Sequence, residues 1–145
     1  MGYYTQQIVT EKGSEAIAKT VAKQSTLTFT SIKTGAGRYS IYEISKLSSA
    51  TELKDEKQTF DINSISSNEN TIQLTSVLTN VGVTESYEIC EIGLFAKEND
   101  GEEFLVAISL NAENPALMPV FDKVPIEMQV GDFLTCLLYT SDAAD

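Results

Sequence analysis

Two apolar runs joined by an acidic turn, Tyr87 to Leu110 (YEICEIGLFAKENDGEEFLVAISL), constrain the fold more than any other part of the chain. Each run is long enough to form a strand. The turn between them contains Asp100 and Gly101, a pair that accepts the positive φ angles of a tight hairpin turn. The segment therefore predicts an antiparallel hairpin and a fold based on a sheet.

The first of these runs is apolar on both faces of the strand that it predicts. Cys90, Ile92 and Leu94 alternate with Ile89 and Phe95, so each face presents apolar side chains. A strand of this kind lies in the middle of a sheet that is covered on both sides. Cys90 is expected to be a small buried hydrophobic residue with no disulfide partner.

A helix is predicted over residues 11 to 24, where apolar residues recur at helical spacing. Thr10 precedes it as a suitable N-cap, whereas Gly13 lowers its helix propensity. Four residues form the expected apolar stripe: Ile17, Ala18, Val21 and Ala22. We expect this stripe to pack on one face of the sheet.

The remaining segments indicate further strands and surface loops. A strand at 26–33 ends at Gly35-Ala36-Gly37, which we interpret as a turn that uses the backbone freedom of glycine. Apolar residues in 38–56 suggest at least one helical turn. A second hairpin is predicted from the alternation of Phe60 with Ile62 and of Ile72 with Leu74, with its turn at 66–70.

The C-terminal part contains all three prolines. A loop at 80–85 precedes the first hairpin, and a long connection at 111–122 with Pro115 and Pro119 follows it. Residues 124–130 alternate like a strand, but Pro125 inside them favours an edge strand or a bulge. The total is one or two helices and six or seven mostly antiparallel strands. We therefore predict an α+β fold with a single domain over residues 1–135.

Residues 136–145 (CLLYTSDAAD) are expected not to be native. The transposon-end adapter DNA TGT CTC TTA TAC ACA TCT GAC GCT GCC GAC encodes this decapeptide. The alternative is a genuine β-prone strand, since LLYT is apolar. On the adapter interpretation the gene is cut near Thr135 and the natural protein continues. The formal charge of -11 then becomes -9, because Asp142 and Asp145 no longer count.

Composition excludes several kinds of chemistry. The chain has no His, which removes Ser-His-Asp and Cys-His machinery. A pI near 4.3 disfavours binding to nucleic acid and to anionic membranes. Neither a P-loop nor a dinucleotide-binding glycine motif is present, and the acidic hairpin tip lacks an EF-hand pattern. We expect no cofactor, no metal ion and no membrane insertion.

Glu91 is the carboxylate that most needs an explanation, because it lies between Cys90 and Ile92 on the predicted central strand. A carboxylate there requires backbone N–H groups or a cation as partners. Catalysis would require a second carboxylate or a base in the same cleft, and the sequence places none. We therefore predict that Glu91 holds a loop or a subunit contact.

The segment Glu91-Ile92-Gly93-Leu94-Phe95, followed by Asp100-Gly101 and Leu105-Val106-Ala107, resembles the phage tail-collar fibre family. Members often contain "REIGLFD-x-DG-x-L-IA"; this chain has Cys90 in place of Arg and Ala96 in place of Asp. A Tyr-Tyr-Thr opening, an Ala-rich helix, a "VGDG"-like turn and an "INxI"-like strand follow the same order. The "Tyr-Lys-Pro"-like element is not evident in 111–122.

The resemblance implies a structural part of the virion tail, encoded by a phage or prophage and made in the cytoplasm of the bacterial host. It implies an N-terminal domain that joins a tail fibre to the baseplate, is not an enzyme and forms a homotrimer. The alternative is a standalone acidic module that binds carbohydrate or peptide. The candidate structural or interface residues are Glu91, Gly93, Phe95, Asp100, Gly101, Pro115, Pro119 and Pro125.

Overall fold

A computed structural model describes residues 8–68, 71–122, 125–130 and 134–135. Its helices are α1 (Glu11–Val21) and α2 (Ile41–Ile44), with a 3-10 turn at Leu47–Ser49. Its strands are β1 (Ile8–Val9), β2 (Leu27–Gly35), β3 (Glu56–Asp61), β4 (Ser64–Asn68), β5 (Thr71–Thr79), β6 (Tyr87–Ile89), β7 (Glu91–Glu98), β8 (Phe104–Leu110), β9 (Ala116–Met118), β10 (Glu127–Val130) and β11 (Leu134–Thr135). Strand pairing is antiparallel throughout this part of the chain.

The main sheet has five strands in the order β1-β8-β7-β2-β3. β7 and β8 form the hairpin that the sequence predicts, and β7 is the central strand. Its side chains enter two apolar clusters: Ile92 and Leu94 belong to one, and Phe95 belongs to the other. The expectation of a central strand that is apolar on both faces is therefore confirmed.

The first apolar run is interrupted at Cys90, so it forms two strands and not one. β6 pairs with β9 in a separate two-stranded sheet, whereas β7 pairs with β2 and β8. Because the chain changes partners at Cys90, Ile89 joins the cluster that contains Leu94 and not the one that contains Phe95. The assignment of Ile89 and Phe95 to one face is therefore wrong. Cys90 itself is buried, as expected.

The hairpin turn takes its positive φ at a residue other than those predicted. Asn99 has φ 54°, whereas Asp100 and Gly101 have no positive φ. Asparagine adopts this left-handed region more readily than most residues other than glycine. Gly101 closes the turn by donating its N–H to the carbonyl of Glu98 at 2.9 Å.

Helix α1 begins where the sequence predicts, because the Thr10 hydroxyl accepts a hydrogen bond from the Gly13 N–H. It ends at Val21, and Lys23 (φ 62°) then turns the chain away. The buried residues are Gly13, Ala16 and Ile17, whereas Ala18, Val21 and Ala22 are exposed. The predicted stripe was wrong in all but Ile17, since Gly13 allows the helix to approach Val106 closely.

The second predicted hairpin has a different first strand. Phe60 lies in β3, which pairs with β2, whereas β5 pairs with β4. Ile62 lies between β3 and β4, in neither strand. The predicted turn at 66–70 is partly wrong, since β4 continues to Asn68; residues 69–70 lie outside the described residues. Side chains link β3 to β5: the Ser76 hydroxyl donates to the Asp61 carbonyl at 2.7 Å, and Gln58 Nε2 donates to the Thr79 carbonyl at 2.9 Å.

The C-terminal strands lie along β5. β10 begins at Glu127, after Pro125, and in the described part of the chain it pairs with β5 alone, as an edge strand does. β11 pairs with β5 in the same register, since Val130 lies opposite Ser76 and Leu134 opposite Ile72. Residue 124, the Tyr-Tyr-Thr opening at residues 3–5 and the tail at 136–145 lie outside the described residues.

The chain is mostly antiparallel sheet with few helices, as expected, but six or seven strands is too low a count. The described residues form eleven strands in three sheets. Short strands such as β1, β6 and β9 account for much of the difference, because two or three residues carry no readable alternation. β9 lies inside the segment that was expected to be a loop.

Candidate functional site

Glu91 is completely buried, and four donors of its own chain bind its carboxylate. Oε2 accepts the N–H groups of Gly37 and Asp55, each at 2.8 Å. Oε1 accepts the Lys54 N–H at 2.9 Å and the Tyr39 hydroxyl at 2.5 Å. The partners are thus three backbone N–H groups and a phenol, and no cation is among them. Such hydrogen bonds to a carboxylate are stronger than those between neutral groups.

The surrounding glycines leave the space that this carboxylate occupies. A Cβ atom on Gly37 would lie 2.4 Å from Glu91 Oε2, and one on Gly35 would lie 2.5 Å from the same atom. Neither glycine has a positive φ. The interpretation of Gly35-Ala36-Gly37 as a turn that uses backbone freedom is therefore wrong. Gly37 is required by the close approach of Glu91, and Gly35 by that of Glu91 and of the Asp55 carbonyl oxygen, which would lie 2.4 Å from its Cβ atom.

The carboxylate joins three parts of the chain that are distant in sequence. It connects β7 to the loop after β2 through Gly37 and to the loop before β3 through Lys54 and Asp55. Burial, followed by the hydrogen bond to Glu91, raises the pKa of Tyr39, so its phenol remains protonated and acts as a donor. Both carboxylate oxygens are thus occupied by neutral donors, an arrangement suited to holding loops.

Helix α2 is attached to the same site. Lys54 Nζ donates to the Arg38 carbonyl at 2.8 Å and to Glu43 Oε2 at 2.7 Å. The hydrogen bond from Lys54, followed by that from the Ser40 N–H, lowers the pKa of Glu43 to about 2. Ser40 and Glu43 also form a capping box. A helix of four residues is thus held in place by contacts of Arg38 and Ser40, which precede it, and of Glu43 within it.

Gly93 lies two residues after Glu91 and therefore on the same face of β7, where Phe95 also packs. A Cβ atom on Gly93 would lie 2.9 Å from the Leu53 side chain, so glycine allows Leu53 to cover the strand. Phe95 is buried in the same cluster, and Lys33 Nζ lies 4.4 Å from the centre of its ring. Asp100 and Gly101 are exposed at the hairpin tip, distant in the sheet from Glu91.

A second polar cluster, which the sequence did not indicate, lies near the hairpin tip. Glu103 accepts hydrogen bonds from Thr30 and Ser31 and forms an ion pair with Lys33 at 3.1 Å. Burial opposes ionisation of Glu103, but these hydrogen bonds and the Lys33 charge outweigh it and lower the pKa of its carboxyl.

Pro119 and Pro125 each lie next to a residue that binds a buried amide. Asn80 is 1 % exposed; its Oδ1 accepts the Ile126 N–H at 2.8 Å and its Nδ2 donates to the Val120 carbonyl at 3.3 Å. The segments containing Pro119 and Pro125 are thereby held together. Pro125 is exposed, whereas Pro115 and Pro119 are half-buried. No sequence signal had indicated Asn80, because its partners are about 40 residues away.

A cavity of about 350 Å³ lies beside the Glu91 site. Its lining includes Tyr39, Ile44, Cys90 and Leu110. Burial raises the pKa of the Cys90 thiol. Within the described ranges, no group of three or more His, Cys, Asp or Glu side chains is arranged to hold a metal ion. Among the described helices, none combines the length and apolar character that a membrane crossing requires.

Taken together, these features describe a β-rich structural domain whose central carboxylate binds its own loops. The family model for the phage tail-collar fibre protein, N-terminal, matches residues 1–115. The chain therefore belongs to the phage tail-collar fibre protein family, and the resemblance seen in the sequence is confirmed. Its role is structural, in a phage tail fibre, and it is a component of the virion tail. No curated protein and no solved structure matches the chain.

Proposed function

We propose that this chain attaches a tail fibre to the baseplate of a phage or prophage tail, as a homotrimer and without catalysis. The observation that carries the proposal is the family match over residues 1–115, which includes the whole of the Glu91 site. The family description concerns tail fibres; attachment to the baseplate and the trimeric state are our proposals.

The geometry of Glu91 supports a role without catalysis. A general acid or base must reach a substrate atom, whereas this carboxylate is 0 % exposed and binds four donors of its own chain. The position of α2 on that site supports a role in presenting a surface. We propose that Glu91, Gly93 and Phe95 maintain the domain, and that the loops containing Pro115, Pro119 and Pro125 contribute contacts.

The experiment is to add the purified, tagged chain to phage particles that lack their fibres and to locate it by immunogold electron microscopy. The particles should come from the phage whose genome encodes the chain. We expect label at the baseplate, and we expect unlabelled chain in excess to compete it away. A tagged chain unfolded by prior heating serves as the control.

Label distributed over the capsid, or no label, would contradict attachment to the baseplate. A glycan array and a peptide library probed with the same protein test the alternative of a standalone binding module. Saturable binding to one glycan or peptide, without binding to particles, would favour that alternative.

A further inference from the structure

Strands β3 and β5 lie side by side, yet within the described ranges no backbone ladder joins them. β3 is the edge strand of the main sheet, whereas β5 belongs to a sheet formed by β4, β5, β10 and β11, which we call the C-terminal sheet. The Ser76 hydroxyl donates to the Asp61 carbonyl at 2.7 Å. Three residues further along each strand, Gln58 Nε2 donates to the Thr79 carbonyl at 2.9 Å. The strands are thus aligned like antiparallel neighbours but lack the bonds of a ladder.

Side chains supply most of the bonds along this line. The Val77 N–H donates to Asn63 Oδ1 at 2.8 Å. The one backbone bond that the described residues form here runs from the Asn63 N–H to the Thr75 carbonyl at 2.7 Å, beside the start of the β4–β5 ladder. We call these contacts the β3–β5 seam; its residues are Gln58, Asp61, Asn63 and 75–79. A bond that depends on one side chain ends when that side chain rotates, so the sheets separate most easily at the seam.

The Gln58 amide is oriented by residues outside the C-terminal sheet. The Tyr87 hydroxyl donates to Gln58 Oε1 at 2.6 Å, so the Thr34 hydroxyl, 2.6 Å from the Tyr87 oxygen, is the donor in that contact. Fixing Oε1 directs Nε2 to the Thr79 carbonyl. When the seam opens, this chain of hydrogen bonds stays with β2, β3 and β6, and only its last bond is lost.

Leu74 and Leu78 keep the seam closed in the prevailing state. They are 0 % and 1 % exposed and belong to the apolar cluster that contains Ile32 and Phe60. Separation of the sheets exposes both leucines to water, which costs free energy. The cluster around Phe95, by contrast, contains no described residue of the C-terminal sheet, so it remains intact. Opening at the seam therefore costs less than unfolding the whole domain.

We infer that the C-terminal sheet opens from the rest of the domain as a unit, with the seam as the line of separation. Residues 62–63, which lie between β3 and β4 and in neither strand, act as the hinge. β7, β8 and the Glu91 site stay folded in the open state, because none of the four hydrogen bonds of Glu91 crosses the seam. This motion does not depend on attachment to a baseplate.

Native-state hydrogen exchange of the 145-residue chain, followed by mass spectrometry of its peptic fragments, measures the opening of each strand. The pH is chosen so that the exchange rate reports the opening equilibrium. We expect the amides of β5 to exchange about tenfold faster than those of β7, or more, because partial opening costs less than global unfolding. Equal rates would overturn the inference, since the two sheets would then open in a single event.

Two substitutions, one in each part, provide the decisive comparison. Gly13→Ala destabilises the packing of α1 on β8, because its Cβ atom would lie 2.5 Å from the Val106 carbonyl oxygen. This packing persists in the open state, so exchange should become faster in β7 and stay within about twofold in β5. Ser76→Ala removes a seam bond that is lost in partial opening and in global unfolding alike. It should speed both strands equally, by about fivefold for one hydrogen bond.

Ser66→Ala is the control, since it changes an exposed serine on β4 outside the seam and should change neither rate. If Gly13→Ala speeds β5 as much as β7, the domain is one cooperative unit and the inference is overturned. If Ser76→Ala leaves the exchange of β5 unchanged, opening does not break the seam, which also overturns it. Should a variant not fold, Thr10→Ala replaces Gly13→Ala by removing the helix cap, and Gln58→Ala replaces Ser76→Ala.

Discussion

Replacing Glu91 by alanine should destabilise the domain more than any substitution of an exposed acid. The change leaves the N–H groups of Gly37 and Asp55 and the Tyr39 hydroxyl without their acceptor. The Lys54 N–H loses one of two acceptors, since it also donates to the Tyr39 oxygen at 2.9 Å. An unsatisfied buried donor costs about 1–3 kcal/mol. The Lys54 loop is exposed, so water can rescue part of this loss. With three donors affected, we therefore expect the free energy of unfolding to fall by roughly 3–5 kcal/mol.

Glu91→Gln removes the charge of the side chain but keeps its shape. The amide keeps one acceptor oxygen, and the Tyr39 hydroxyl can rotate to accept from its NH₂ group. The Lys54 N–H then loses the carboxylate oxygen and shares the Tyr39 oxygen with the amide, so we expect a loss of about 1–3 kcal/mol. Glu91→Ala should thus cost more than Glu91→Gln, although both remove the same negative charge.

Urea unfolding followed by far-ultraviolet circular dichroism measures these losses, at one fixed protein concentration because the proposed oligomer makes stability depend on it. Glu102→Ala is the control, since Glu102 is exposed near the hairpin tip. If Glu91→Ala and Glu102→Ala unfold at the same urea concentration, the carboxylate does not hold the loops and the reasoning is refuted.

Three further outcomes are expected. Gly13→Ala should lower the free energy of unfolding by about 2 kcal/mol, because its Cβ would lie 2.5 Å from the Val106 carbonyl oxygen. Gly82→Ala should lower it by about 1 kcal/mol, because Gly82 has open space around it but a φ of +86°. Equal shifts of the melting temperature in the two variants would contradict this account. The carboxyl of Glu103, whose pKa is lowered from the ordinary 4.5, stabilises the fold above that pH, and this contribution is lost as the pH falls through the folded value. Glu103→Gln should therefore flatten the acid side of the stability curve; an unchanged curve would count against the Thr30 and Lys33 contacts. Cys90, buried and with a raised pKa, should react with a thiol reagent much more slowly in the native protein than in urea, and equal rates would disprove its burial.

Alternation and apolar runs are local signals, and the features that depend on them could be predicted. Residues within one helical turn predict the Thr10 cap. Residues within one strand or one hairpin predict the β7–β8 hairpin and the burial of β7 on both faces. The position of Glu91 on the central strand follows in the same way. That it requires partners could also be predicted, because a buried carboxylate is costly alone.

The identity of those partners could not be predicted. Gly37 is 54 residues from Glu91 and Asp55 is 36 residues away, and a backbone N–H donor carries no residue signature. The glycines mislead for a related reason. Gly13, Gly35 and Gly37 could each be interpreted from local conformation, but close approach of a distant atom determines all three. Only the tertiary arrangement distinguishes the two causes.

The distance in sequence between Glu91 and its donors has a consequence for the order of folding. Its hydrogen bonds close loops of 36 to 54 residues, whereas the β7–β8 hairpin closes over a short turn. Local contacts of the hairpin can form first, because they cost less loop entropy. The carboxylate contacts should then form after the transition state. Removing them should speed unfolding and leave the folding rate nearly unchanged. The Glu91 site therefore slows the unfolding of the completed domain.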